Sequence, residues 1–322
     1  MKYIRLILCV LLITFLLFSP GRLSAGAQRS YEDTRFVREK AYRGVITIYH
    51  IVRHRPYSGS LSNWLQKRAD EYEKSHRGSF ISVEGISEEA FYERLEHGRR
   101  ADAYSFFAGS VYRDLLCDIS ERGQIFREGL FQTDKCIPYC YSGYAKLVKN
   151  TDSKAEKIYY CDEIMAARQN ADTFGITETA ADTLYLDLRR AGDLMRYKDG
   201  FAQSVLEPVD AFSDAVAWFG IDRDTDADKT AVIEDFIDWL LREEQQIKLN
   251  ALGLMSVRAD VRNTPPETVL KPIFKAYETV RTVDPFLWYE QYDALKADAT
   301  AACCGEEHAV SGFQKRFEEL IR

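Results

Sequence analysis

Apolar and polar positions change period along the first third of the chain. Gly44-Val45-Ile46-Thr47-Ile48-Tyr49-His50-Ile51 is short, opens on a glycine and is rich in β-branched residues, as a buried strand should be. A loop with Pro56, Ser58, Gly59 and Ser60 follows. From Leu61 to Lys74 the apolar residues at 61, 64, 65, 69 and 72 fall on one helical face. Phe80 to Glu84 predicts a second strand, Glu88 to His97 a second helix, and Ala101 to Phe107 a third strand ending in Ala108-Gly109-Ser110. This alternation predicts a parallel sheet covered by helices, with ligands at the carboxyl ends of the strands. Later, apolar residues at 236, 237, 240, 241, 247 and 249 punctuate charged ones and predict a helix ending at Gly253, where a left-handed cap forms easily.

The N-terminal pattern is of another kind. Lys2 and Arg5 lead into the apolar run Leu6 to Phe18, then Ser19-Pro20-Gly21 and Ser24-Ala25-Gly26-Ala27. Charge, apolar core, breaker and small-residue site in that order form the layout of a secretory signal peptide, residues 1–27. An apolar run of about thirteen residues falls short of the roughly twenty that span a bilayer, so cleavage after Ala27 is expected over an uncleaved anchor. Cys9 lies inside the apolar core and not after it, where a lipid-acceptor cysteine would stand. Residues 28–43 are polar and charged and read as a linker or first helix. The expected location is therefore exported: extracellular, cell-surface or periplasmic.

Removal of the leader leaves 295 residues and, taking Lys2, Arg5 and Arg22 with it, moves the formal charge from −7 to −10. That balance argues against a nucleic-acid partner, whose binders present basic faces. A content of 46% apolar and 13% aromatic residues excludes a disordered stalk. The length admits two lobes of about 150 residues each.

Six cysteines remain: Cys117, Cys136, Cys140, Cys161, Cys303 and Cys304. Three pairs would allow fifteen connectivities, and sequence does not choose among them. Cys136-Ile-Pro-Tyr-Cys140 is not a Cys-x-x-Cys motif and has no histidine beside it, so a structural bridge or simple burial is expected ahead of metal or redox chemistry. Cys303 and Cys304 are adjacent and do not easily close on each other.

The sequence contains no Gly-x-Ser-x-Gly elbow, His-Glu-x-x-His helix, phosphate-cradling loop or dinucleotide fingerprint. Catalysis and a cofactor are therefore not expected. The pairs Glu88-Glu89, Glu243-Glu244 and Glu306-Glu307 read as solvated helix faces, since adjacent carboxylates on a helix diverge. Asp222, Asp224, Asp226 and Asp228 alternate as calcium ligands do, but lack the sixth-position glycine and closing glutamate of an EF-hand loop. An ordinary acidic loop is expected there.

Several stretches resemble the extracellular solute-binding proteins of ABC importers. The strand Ile46 to His50, the Gly/Ser loop, a helix ending in Tyr72-Glu73-Lys74 and a strand opening on Ala101-Asp102 follow that family's order. Phe236-Ile237-Asp238-Trp239-Leu240-Leu241, then Gln245-Gln246, then Leu252-Gly253-Leu254-Met255-Ser256-Val257-Arg258 is similar to its "F-x-x-x-L … Q … G-x-x-P-V-R" stretch. Ser256 stands where the pattern has proline, which implies a less fixed turn. Phe212 to Val216 and Cys136 to Leu147 also suit the family.

The resemblance implies an α/β, two-lobed periplasmic-binding-protein-like fold of type II, each lobe a mixed, mostly parallel sheet flanked by helices. It implies lobe 1 from residues 44–138 plus 205–243 and lobe 2 from 139–204 plus 244–322. The stretch Tyr139 to Ser204 is short for the family, so the second lobe is expected to be reduced. The implied partners are a small-molecule solute, with carbohydrate favoured, and an ABC permease in the membrane. The rival expectation is a surface sensor or interaction protein that keeps the fold with a degenerate solute site.

Sugars are held by aromatic faces and planar polar groups, because a pyranose offers apolar C–H faces ringed by hydroxyls. The candidates are residues after the strands: Tyr57, Ser58, Gly59 and Ser60, then Tyr104, Ser105, Phe106 and Phe107, with Tyr141 and Ser142 from the second crossing. For each aromatic the competing expectation is a place in the core. Trp64, Trp218, Trp239 and Trp288 are expected in the core. His50, Arg53, His54 and Arg55 form a basic cluster that reads as a solvated loop, with anion binding as its alternative.

Overall fold

The computed structural model describes residues 42–53, 56–76, 78–119, 125–148, 183–187, 205–208, 213, 215–282 and 284–286, with isolated helical positions beyond; 144–148, 183–187 and 205–208 are described as backbone. The predicted leader, residues 28–41, His54, Arg55, Cys161, Trp288, Cys303, Cys304, Glu306 and Glu307 lie outside the described residues. So does most of the stretch on which the reduced second lobe rests.

Strand β1 (Gly44–Ile51) pairs in parallel with β2 (Ser79–Ile86) on one side and β3 (Ala103–Phe107) on the other. Helix α1 (Leu61–Ser75) connects β1 to β2, and α2 (Glu88–Glu96) connects β2 to β3. Each starts where a serine hydroxyl accepts a main-chain N–H, Ser60 from Asn63 and Ser87 from Ala90. The buried face of α1 carries Leu61, Trp64, Leu65, Ala69 and Tyr72, the predicted stripe.

The rest of the larger sheet is built by strands that pass to and from a second sheet. β4 (Cys136–Tyr141) leads through Ser142 and Gly143 into β5 (Tyr144–Val148), which pairs antiparallel with β6 (Thr183–Asp187) and β7 (Val205–Pro208). The chain returns as β8 (Val216–Ile221), antiparallel to both β3 and β4, and β9 (Met255–Ser256) pairs antiparallel with β4. The order is β2-β1-β3-β8-β4-β9 in one sheet and β6-β5-β7 in the other.

β1 to β4 all run toward the crossing edge, while β8 and β9 run away from it. The larger sheet is thus mixed, as expected, because a strand arriving from the other sheet must enter at the opposite end from one linked by a helix. The smaller sheet departs from the expected mostly parallel form: both its described pairings are antiparallel. The boundary placed between 138 and 139 falls inside β4, and the passage between sheets comes at Ser142-Gly143.

The predicted helix from Phe236 to Gly253 is three pieces. α3 (Ala227–Leu240) ends at Leu241, Arg242 is extended, α4 (Glu243–Lys248) follows, and a 3-10 turn over Leu249–Leu252 ends on Gly253 at φ +77°. The break turns Gln246 inward, fully buried. Its amide donates to the carbonyls of Tyr139 and Leu240, and its oxygen accepts from the Ser256 hydroxyl at 2.8 Å and the Val257 N–H at 3.2 Å. Met255–Ser256, expected in lobe 2, therefore pair in the larger sheet, and Gln246, expected there too, is bonded to its strand β4. Ser256 is not a looser substitute for proline either: its buried hydroxyl also accepts from Arg258 N–H and pins the turn. Helix α5 (Lys271–Ala276) lies alongside β7.

Trp64, Trp218 and Trp239 are buried, as predicted. Cys136 and Cys140 are buried thiols on one strand and Cys117 is a half-buried thiol; all three are free, so the 136–140 bridge is not formed and burial is the reading that holds. Among the described residues no helix is long and apolar enough to cross a membrane.

Candidate functional site at the crossing edge

The carboxyl ends of β1, β2, β3 and β4 meet the edge where the chain passes between sheets, the position at which open α/β sheets bind ligands. After β1, Val52 is exposed and its N–H bonds Ile86 O. Arg53, half-buried, donates to the carbonyl of Ala108 at 2.9 Å and to the Ser110 hydroxyl at 3.4 Å, joining the ends of β1 and β3.

The loop at 57–60 rests on the Gly253 turn. Ser58 N–H donates to Leu252 O, and a Cβ on Gly253 would lie 2.4 Å from Tyr57 Cβ. The Tyr57 hydroxyl donates to Glu267 Oε1 at 2.6 Å, and burial together with that carboxylate pushes its pKa up to about 12. Ser58 and Gly59 are exposed, with Gly59 at φ +72°, a conformation glycine adopts without strain. Ser60 is half-buried, caps α1 and shares a 2.7 Å hydrogen bond with Ser62. This end of the sheet thus presents hydroxyls and main-chain groups on a pinned loop.

The other six candidates lie in the core, a correction to their assignment to a cleft. Tyr104 is fully buried and its hydroxyl donates to Asp222 at 2.5 Å, while its ring meets Phe91 edge-on. Ser105 links His50 Nδ1 at 2.8 Å to the Tyr139 hydroxyl at 2.7 Å. Phe106 packs near Phe286, and Phe107 lies edge-on to His50. The Tyr141 hydroxyl donates to Tyr277 O at 2.7 Å, and Ser142 is held within the crossing. The physical reason is that β3 and β4 are interior strands with both faces covered, so alternation directs no side chain to solvent.

His50 likewise leaves the basic cluster. It is a buried ring whose pKa burial lowers to about 4. The aspartate run is divided among structural tasks. Asp222 is buried and accepts from Tyr104 and Asp224 N–H, Asp224 and Asp222 pair with Arg100, and Asp226 caps α3 through Lys229 N–H. Among the described residues no group of three His, Cys, Asp or Glu side chains is placed to hold a metal.

What sequence reasoning missed is the tie between the crossings. Ser142 N–H donates to Ala215 O, Ser213 Oγ donates to Ser142 O at 2.6 Å, and Ser213 N–H donates to Arg281 O. Gly143 passes against Tyr277, where a Cβ would come within 2.4 Å of the ring. Three segments of chain thus meet at one buried point where the chain crosses between the sheets.

Comparison with solved structures identifies the architecture. A chitin oligosaccharide binding protein aligns with TM-score 0.58 and 12% identity over 86% of this chain and 99% of its own. The GacH receptor of Streptomyces glaucescens, solved free and with acarbose, aligns with TM-score 0.57 and 12% identity over 87% and 99%. The sugar-binding protein MalE of Xanthomonas citri gives TM-score 0.56 and 10% identity over 86% and 97%. No protein-family profile and no curated protein matches the sequence. The chain has the mixed α/β fold of the two-lobed periplasmic binding proteins, the fold its motifs implied.

Proposed function

We propose that this protein is an exported, non-enzymatic solute-binding protein that captures a small solute of the carbohydrate class and delivers it to an ABC-type permease. The observation that carries the reading is the buried Ser142–Ser213 junction between the two sheets, at the same carboxyl end of the larger sheet as the hydroxyl-bearing loop 57–60. Such a junction suits hinge closure, in which a solute bridging both lobes shifts the population toward the closed form. The similarity to proteins described as binding chitin oligosaccharide, acarbose and sugar supports the carbohydrate class. In this reading Tyr57, Ser58, Gly59 and Ser60 are the larger lobe's contribution to the site.

One observation favours the rival, a surface sensor or interaction protein with a degenerate site. Of the nominated aromatics only Tyr57 is less than buried, so the stacking platform expected from Tyr104, Phe106, Phe107 and Tyr141 is missing from this edge.

Thermal unfolding of the chain from Gln28 onward, against sugars, oligosaccharides, peptides and organic anions, separates the two. A ligand at about 100 times its dissociation constant adds roughly 2.7 kcal/mol, a visible rise in Tm. A rise with saccharides supports the transport reading. A cooperatively unfolding sample that no solute stabilises overturns it in favour of the rival.

A further inference from the structure

β2 is the last strand of the larger sheet: β1 pairs with one side of it, and among the described residues no strand pairs with the other. An unpaired edge is a template for another chain, and proteins blunt it with charge, proline, bulges or brevity. β2 is eight residues long, Ser-Phe-Ile-Ser-Val-Glu-Gly-Ile, without proline. Its single charge, Glu84, is neutralised by Arg94 at 2.5 Å. The protection has to come from elsewhere.

It comes from α1. Gly78 O and Ile86 O bond β1 and the residue after it, so by alternation the main-chain groups of Ile81 and Val83 face outward. Glu73 Oε1 accepts from Ile81 N–H at 2.7 Å, Gln66 Oε1 accepts from Val83 N–H at 2.7 Å, and Gln66 Nε2 donates to Ile81 O at 3.1 Å. The same Nε2 donates to Asp70 at 2.7 Å, which holds the amide in place. Residues 66, 70 and 73 form one stripe of the helix, laid along the edge. Next to this edge Phe80 and Val45, paired in register, are 58% and 54% exposed.

We propose that Gln66 and Glu73 are a lock on the sheet edge, and that without it β2 pairs with β2 of a second copy of this chain. Antiparallel pairing about a two-fold axis at Ser82 sets Ile81 of one copy against Val83 of the other. It satisfies the groups that Gln66 and Glu73 now occupy and is self-complementary, as a two-fold contact must be. Phe80 supplies apolar area to the contact. The inference is independent of the solute.

The test is light scattering after size exclusion. The wild-type chain is expected as a monomer, and Gln66→Ala/Glu73→Ala at about twice that mass. Adding Ser82→Lys, which sets two ammonium groups opposite each other across the axis, is expected to restore the monomer. Glu73→Gln, which keeps an acceptor for Ile81 N–H, is expected to remain monomeric. Should the double variant fail to fold, Gln66→Ala alone frees two of the three groups and gives the same reading. A folded variant that stays monomeric overturns the proposal, as does association that Ser82→Lys leaves intact or a wild-type dimer.

Discussion

The Ser213 hydroxyl donates to the carbonyl of Ser142 across 2.6 Å and accepts from Ala215 N–H across 3.0 Å, with both serines buried. One side chain therefore satisfies a carbonyl from the segment leaving the larger sheet and an N–H from the segment returning to it. Without it, both main-chain groups would be stranded away from water, and unsatisfied buried groups carry the full cost of desolvation. Rotation of one crossing against the other has to break or carry this contact.

Ser213→Ala is expected to destabilise the fold by about 2 kcal/mol, the scale of a buried hydrogen-bonding group left unpaired. Urea unfolding should show a lower midpoint at unchanged slope. A loss under about 0.5 kcal/mol would mean that main-chain bonds alone hold the crossing.

Gly143→Ala tests the adjoining contact. A Cβ at 143 would stand 2.4 Å from the ring of Tyr277, which is fully buried and caps the C-terminal end of α5. Overpacking of this kind costs about 1–3 kcal/mol. Tyr277→Leu should relieve it, so thermal unfolding of the double variant is expected to show less loss than the two single variants summed. Additive losses would place the strain elsewhere.

The strands and helices around β1 were legible because local pattern and tertiary setting agree there. Ser60 and Ser87 sit where caps belong, and the apolar stripe of α1 faces the sheet. The candidate site residues were less legible, because a strand buried on both faces carries the same aromatic composition as a strand end lining a cleft. Tyr104 and Phe106 are told apart from cleft residues only by the arrival of β8 alongside β3, a pairing more than a hundred residues away in the chain. The junction at Ser213 had no signal beyond a small polar residue in an apolar stretch. Ser256 was misread for a related reason: its importance lies in Gln246, turned inward by a helix break that periodicity runs across.

Tyr104→Phe separates core from cleft directly. It removes the donor to Asp222, whose pKa is raised by burial and held back by that hydroxyl. The cost is expected at about 1–3 kcal/mol at neutral pH, and less in acid, where a protonated Asp222 no longer needs the donor. Any solute-induced rise in Tm should survive the change, since Tyr104 is fully buried. Loss of the solute response without loss of stability would return Tyr104 to the cleft.

His50 makes stability depend on pH in one direction. Its ring is enclosed with Nδ1 on Ser105 and an edge contact to Phe107, and burial lowers its pKa from 6.5 to about 4. Between those values the unfolded chain binds a proton that the folded one refuses. The neutral ring's contribution is therefore complete above about pH 6.5 and is lost as the pH falls toward 4. A drop of this size corresponds to about 3 kcal/mol across the window. His50→Asn keeps a polar partner for Ser105 and has no titration there, and every other group titrates alike in both proteins. Urea unfolding at pH 7 and pH 4 should show the wild type losing about 2–3 kcal/mol more than the variant. Equal losses would mean that the ring opens to solvent before it charges, and that acid reaches it through local unfolding of the β1–β3 pairing and not through the folded state.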